Sequence, residues 1–460
     1  MIREIWRDKD IRNFFIVAMI IGIAMSFLIS PWQIPDEDNH LTYIGVSFLN
    51  PDFVNNINES LGMDRGRVEW NVYEKVDLEQ MLSAMTKAPE YEREDMLPKG
   101  FLVYGLRYVP AMIGVFVAIV LHLPAFWVLQ FGELFALLFY VTICSFALKR
   151  CPMKKGVMAI FMLAPMMMQS AGSFSYDAVA TPLMFWIICD VLYLTYEKNE
   201  ITLKDILWLI VPWLWITFIK VPLTFIVLLG LMLPIRKFHV KIGKIIIDEA
   251  FIRKYRWYAL TALVIVIAAA VFVLRTNRWV KVILGVIIEF PRTIYLLYRT
   301  MVNFTGDLLV SAAGNFGWLS APVSLGFAIC FFVAIAGISL VGNDGSKKKL
   351  KRWDRLVILV TFLMLTLMTV FALVDHMIVM TWYNGNELTP NYDIREELYR
   401  IDFVGGLQGR YFMPFVPLLF MFFGSSEKLS KKGTKIVIGL FLGITYFYVA
   451  YVLLNRFWIG

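Results

Sequence analysis

The sequence predicts an all-α, polytopic integral membrane protein with about eleven transmembrane helices and juxtamembrane helices on its outer face. Two observations carry this. Only 17% of the 460 residues are charged and 59% are hydrophobic, with a mean hydropathy of +0.66, whereas a soluble domain carries about a quarter charged residues. The apolar residues also fall into many separate runs of membrane length, joined by short loops in which Lys and Arg cluster.

The first run, 11–29, follows a basic N-terminal stretch. It is long for a signal-peptide core, and Ser30-Pro31-Trp32 is no small-x-small cleavage site, so it reads as a retained transmembrane helix. Further helices are expected near 125–148, 156–172, 177–197, 206–219, 221–235, 257–274, 323–341, 355–377, 410–424 and 435–454. The apolar stretch 101–121 is punctuated by Pro110 and Gly114 and has Arg107 near its start. With Arg3, Arg7, Lys9 and Arg12 cytoplasmic, the basic loops at 149–155, 236–256, 347–355 and 428–435 all stay inside only if 101–121 lies on or dips into the outer interface.

Three long segments, 31–124, 275–322 and 378–409, then share the outer side of a single transmembrane domain over 1–460 and form its active-site face. The second carries amphipathic-looking pieces around 283–288 and 294–301. The expected location is the plasma membrane, multi-pass, with the N-terminus cytoplasmic. Cys144, Cys151, Cys189 and Cys330 lack CxxC spacing and read as small core residues. There is no basic patch with interleaved aromatics, so a nucleic-acid partner is not expected. The cytoplasmic loops leave no room for a nucleotide-binding domain.

The sharpest chemical cue is Pro35-Asp36-Glu37-Asp38-Asn39-His40, a carboxylate cluster directly after the first apolar run. Charges at a bilayer edge are costly and mark a functional site by default. Asp36 or Glu37 is a candidate general base. The bland alternative is a helix start, with Pro35 in the first turn and the acids favouring the helix dipole. Metal binding by Asp36 and His40 is disfavoured, because no second pair has ligand spacing. Asp177, closing Ser170–Asp177, is either a helix N-cap or a carboxylate lining a substrate cavity. Lys220 lies among apolar residues and either snorkels or meets an anionic headgroup.

Gly406-Leu407-Gln408-Gly409-Arg410-Tyr411 opens a helix at the outer face. A guanidinium beside two glycines suits a phosphate bidentately, with Gln408 and Tyr411 beside it; an interfacial anchor is the alternative. Trp318, in the turn Gly314–Pro322, is a belt aromatic or a sugar-stacking platform. Glu133, inside an apolar helix, needs a partner, and Arg107 is a candidate. His122, His239 and His376 are isolated and read as structural, and Met166–Met168 as helix packing.

In order along the chain stand an N-terminal helix, PDE-x-x-H, Tyr104-x-x-x-Tyr108-x-Pro110, Ser173-x-Ser175-x-Asp177, GNFGWL-x-x-Pro322 and QGRYF-x-Pro414. This set resembles a family of bacterial membrane proteins found with polysaccharide genes, itself similar to the GT-C superfamily of integral membrane glycosyltransferases. The resemblance implies a GT-C-like fold, a sugar donor carried on a polyprenyl phosphate, and transfer on the outer face to a cell-envelope glycan or lipid acceptor. It also implies an acidic base in the first outer loop, where Asp36 matches and Glu37 matches the second acid. No cofactor is specified, and a divalent cation stays open. The rival functions are a transporter or flippase of lipid-linked saccharides, which prefers mid-helix charges and inverted repeats, and a polysaccharide polymerase or ligase.

Overall fold

The computed structural model describes residues 6–29, 33–35, 37, 40, 41, 43, 44, 82, 85, 86, 105–273, 278–346, 348–383, 398, 399 and 401–459. Helix α1, Lys9–Leu28, starts where the Asp8 carboxylate accepts from the Asp10 and Ile11 amides. Its 20 residues reach about 30 Å, the thickness of the hydrocarbon layer. After it come α2 (Val109–Val120), α3 (Ala125–Arg150), α4 (Lys155–Met162), α5 (Pro165–Ala171), α6 (Asp177–Tyr196) and α7 (Leu203–Ile219). Thr202 and Asp205 form a reciprocal capping box that starts α7. A run of 3-10 helix, Val221–Met232, follows at once.

A small hairpin, β1 (His239–Ile242) and β2 (Ile245–Asp248), leads into α8 (Glu249–Val273). Next come α9 (Arg278–Ile288), α10 (Phe290–Ala313) and a second hairpin of β3 (Asn315–Phe316) and β4 (Ala321–Pro322). The chain closes with α11 (Leu325–Val341), α12 (Arg352–Tyr383), α13 (Pro417–Phe422) and α14 (Lys431–Phe457). Among the described residues, five helices are long and apolar enough to cross a membrane: α1, α3, α6, α12 over 352–377, and α14.

Several expected elements differ, and proline accounts for two of the differences. The helix expected at 156–172 is α4 and α5, broken because Ala164, before Pro165, is extended (ψ 139°). The helix expected at 410–424 is a 3-10 turn, Gly409–Tyr411, and the six-residue α13, with Pro414 and Pro417 between and within them. The loop expected at 275–322 is mostly the helices α9 and α10. The 12 residues of α2 reach about 18 Å, short of a crossing on their own.

The core lies where α3 packs on α1, α2 and α6, and where α12 packs on the 3-10 run. Met166, Met167 and Met168 are all buried in it, as are Cys144, Cys151 and Cys189, while Cys330 is exposed on α11. The bundle has two chemically distinct ends. At one, Lys435 pairs with Asp10, Lys348 lies near Glu197, and Tyr196 donates to Asp354. Asp177 is at the other end of α6, about 30 Å away by helix rise. The end of α1 and the end of α7 lie at that second end too.

Candidate functional site

The second end gathers polar side chains from several separated chain segments. Glu37, His40, Leu41, Tyr43 and Ile44, which follow α1, are helical. Asp36, the sequence's first choice for a base, lies outside the described residues. Glu37 does not: it is 3% exposed and stands within electrostatic range of Glu133 on α3. Glu133 accepts a hydrogen bond from Gln130, one turn earlier on the same helix, at 3.2 Å. Its partner is therefore Gln130 rather than Arg107.

His40 Nδ1 lies 2.7 Å from the Tyr108 hydroxyl, and its ring meets Tyr176 edge-on at 5.3 Å. Tyr108 is buried just ahead of α2, and burial together with the neighbouring Tyr176 holds its phenol well above the usual range.

Asp177 is not an N-cap. Helix α6 begins at Asp177 itself, and the cap residue is Tyr176, with no side-chain cap bond. The carboxylate instead accepts from Lys220 Nζ at 2.9 Å, both side chains being 16% exposed. Lys220 does not snorkel: it stands at the break between α7 and the 3-10 run, its ammonium 5.5 Å from the Tyr176 ring centre and 5.0 Å from that of Tyr411. The lysine is thus boxed by one carboxylate and two aromatic faces.

Arg410 reaches the same place from the Gly409–Tyr411 turn. Its guanidinium sits 5.4 Å from the Tyr411 ring centre, and its charge, with that of His40, acts on Asp177. Its Nε is buried and has no hydrogen-bond acceptor among the described residues. The turn is positioned by Gly409, whose amide donates to Ser311 Oγ at 2.7 Å. A Cβ on Gly409 would lie 1.9 Å from the Leu308 carbonyl oxygen, so only glycine allows this approach to α10. Gln408 precedes it with a buried, unsatisfied Oε1. The segment upstream is tied to α10's start, since Arg292 donates to the carbonyls of Leu398, Tyr399 and Ile401.

Trp318 stands in the hairpin between Gly317 (φ 60°) and Leu319 (φ 61°). That hairpin packs beside Gln33 and Phe457 and is held by Arg456 donating to Ser320. It therefore borders the segment that leads to Glu37. The predicted residues Glu37, His40, Asp177, Lys220, Arg410 and Tyr411 thus share one end of the bundle.

Tyr176 stands at the centre of this group, and the sequence reading did not single it out. Its only signal was its place between Ser175 and Asp177. Among the described residues no three His, Cys, Asp or Glu side chains converge as metal ligands would.

A bundle of apolar helices with an ionised cluster at one end defines the class as a helical membrane protein. Residues 19–419 match the family model described as "Predicted membrane protein (DUF2142)", and the chain belongs to that family. No curated protein and no solved structure matches it.

Proposed function

We propose that this protein is a membrane glycosyltransferase of the GT-C type, moving a sugar from a polyprenyl-phosphate donor to a cell-envelope glycan or lipid acceptor. The observation that supports this most is the arrival of Arg410, Lys220, Asp177, His40 and Glu37 at one end of an otherwise apolar bundle. That end is opposite the lysine-rich loops, which favours an outer-face site and a cytoplasmic N-terminus.

In this reading Asp36 takes the proton of the acceptor hydroxyl, with Glu37 as its neighbouring acid. The acceptor oxygen bonds to the sugar's anomeric carbon as the bond from that carbon to the phosphate oxygen breaks. The phosphate leaves with the electron pair, and its charge falls to Arg410, whose Nε has no acceptor among the described residues, and to Lys220, which faces the same Tyr411 ring. Tyr411 lies against both cations and holds them near each other. His40, Tyr176 and Tyr108 form the wall behind Asp177.

The test is transfer by the purified protein in lipid nanodiscs, with polyprenyl-phosphate sugars as donors and envelope glycan as acceptor. Asp36→Asn is expected to abolish transfer while leaving expression and melting temperature unchanged; retained transfer would sink the assignment. Mass analysis of the surface glycan with and without the protein adds a second readout. Loss of one side-chain sugar supports transfer, loss of all exported glycan a flippase, and loss of chain length a polymerase or ligase.

A further inference from the structure

The basic end carries a cavity that the proposed transfer does not use. It has a volume of about 580 Å³ and lies between α1, α4 and α14. Its deep wall is apolar, made by Phe14, Val17, Ala159, Leu163, Ile438 and Leu442. Its mouth is lined by Lys155, Lys431, Lys435 and Lys348.

Three features of the mouth call for an anion. First, the charges of Lys435, Lys155 and Lys431 all act on one carboxylate, Asp10. Lys435 pairs with it at 2.7 Å, and among the described residues Lys155 and Lys431 have no ion pair of their own. The other acids are engaged: Asp344 accepts the Lys155 and Ser346 amides, and Glu197 faces Lys348 at 3.7 Å. Second, α4 and α14 each begin with a lysine that lines the mouth, Lys155 and Lys431. A cation in the first turn opposes the helix dipole, so helix stability does not explain these two lysines, whereas an anion at the mouth offsets both. Third, the apolar wall continues from the mouth along α1, where Val17 is exposed, and along α14, where Ile438 and Leu442 are half-buried, so a chain can enter sideways. A free phosphate would fill the mouth and leave that wall bare.

We infer that this cavity holds one anionic phospholipid of the adjoining leaflet, its phosphate on Lys155, Lys431 and Lys435 and one acyl chain along the wall from Phe14 to Leu442. Basic pockets between transmembrane helices take such headgroups, each lysine adding attraction at the membrane surface. This assignment is independent of the transfer reaction, because it involves the opposite end of the bundle.

The experiment is native mass spectrometry of the full-length protein released from micelles containing phosphatidylglycerol, phosphatidylcholine, or inorganic phosphate alone. Phosphatidylglycerol is expected to be retained about tenfold over phosphatidylcholine. Lys155→Gln with Lys431→Gln should reduce that ratio to about one. Both positions are first-turn lysines whose removal does not cost the helices. Ala159→Trp, which fills the apolar wall and leaves the charges in place, should lower retention of both lipids. Equal retention of the two lipids by the wild-type protein overturns the proposal. So does an unchanged ratio in the double variant. Displacement of phosphatidylglycerol by equimolar inorganic phosphate would mean a simple anion site and overturns the lipid assignment.

Discussion

Lys220 and Asp177 are 43 residues apart in sequence and meet at 2.9 Å where two helices end and begin. Neither charge has enough water around it to stand alone. Removing one partner leaves the other buried and unmatched, which costs about 3–5 kcal/mol. Asp177→Asn and Lys220→Met are therefore each expected to lower the melting temperature sharply. The double variant should recover much of the loss, and a thermal melt of the four proteins in detergent gives the coupling directly. Additive losses would show that the two side chains are held independently.

Arg410 has a buried Nε without an acceptor among the described residues and a planar guanidinium near the Tyr411 ring. If it takes the departing phosphate, Arg410→Ala should reduce kcat/KM by about 10²–10³. Lysine keeps the charge but not the two-pronged geometry, so Arg410→Lys should recover only a minor part of the rate. Steady-state kinetics with donor in excess check this. Wild-type rates in the lysine variant would reduce Arg410 to a point charge.

Gly409 lies so close to α10 that a methyl group would meet the Leu308 carbonyl oxygen at 1.9 Å. Backbone cannot give way as a flexible side chain does. Gly409→Ala is expected to cost about 1–3 kcal/mol. It should also lower transfer beyond that loss, because it moves Arg410. Activity measured well below the melting temperature separates the two effects.

Lys154 is buried at the basic end, where it donates to Ser339 Oγ at 2.7 Å and to the Phe420 carbonyl at 2.8 Å. Burial pushes its ammonium down to about 8, while nearby Asp344 raises it and Arg355 lowers it. The folded value lies below the unfolded one, so the unfolded chain binds more protons between them. Stability should therefore rise as pH increases from about 8 towards the ordinary lysine range, and be flat below that window. A neutral amine can still donate both hydrogen bonds. Melting temperature against pH should show this rise in the wild type and lose it in Lys154→Met.

The long apolar runs made the main helices legible: α1, α3, α6, α11, α12 and α14 lie close to where hydrophobicity placed them. Shorter runs near proline were misread, because composition does not distinguish a helix from a 3-10 segment or a broken pair. The candidate site was legible as separate letters. Asp177, Lys220 and Arg410 each stood out as a charge in apolar surroundings. Their partners did not, because Lys220 could equally have snorkelled and Asp177 capped its own helix. Only the packing of α6 against α7 brings the two charges together. Tyr176 carried no signal of its own, since an aromatic at a membrane edge is ordinary.

The 3-10 run from Val221 to Met232 has a consequence for where Lys220 stands. Its 12 residues rise about 2.0 Å each and cover about 24 Å, against about 18 Å for the same residues as α-helix. The stretched form lets a short segment bridge nearly the whole bundle while leaving Lys220, the residue just before it, level with Asp177. Rewinding it as α-helix would shorten it by about 6 Å and draw the lysine below the carboxylate. The ion pair thus sits at a junction between α7 and a segment whose winding sets how far it reaches.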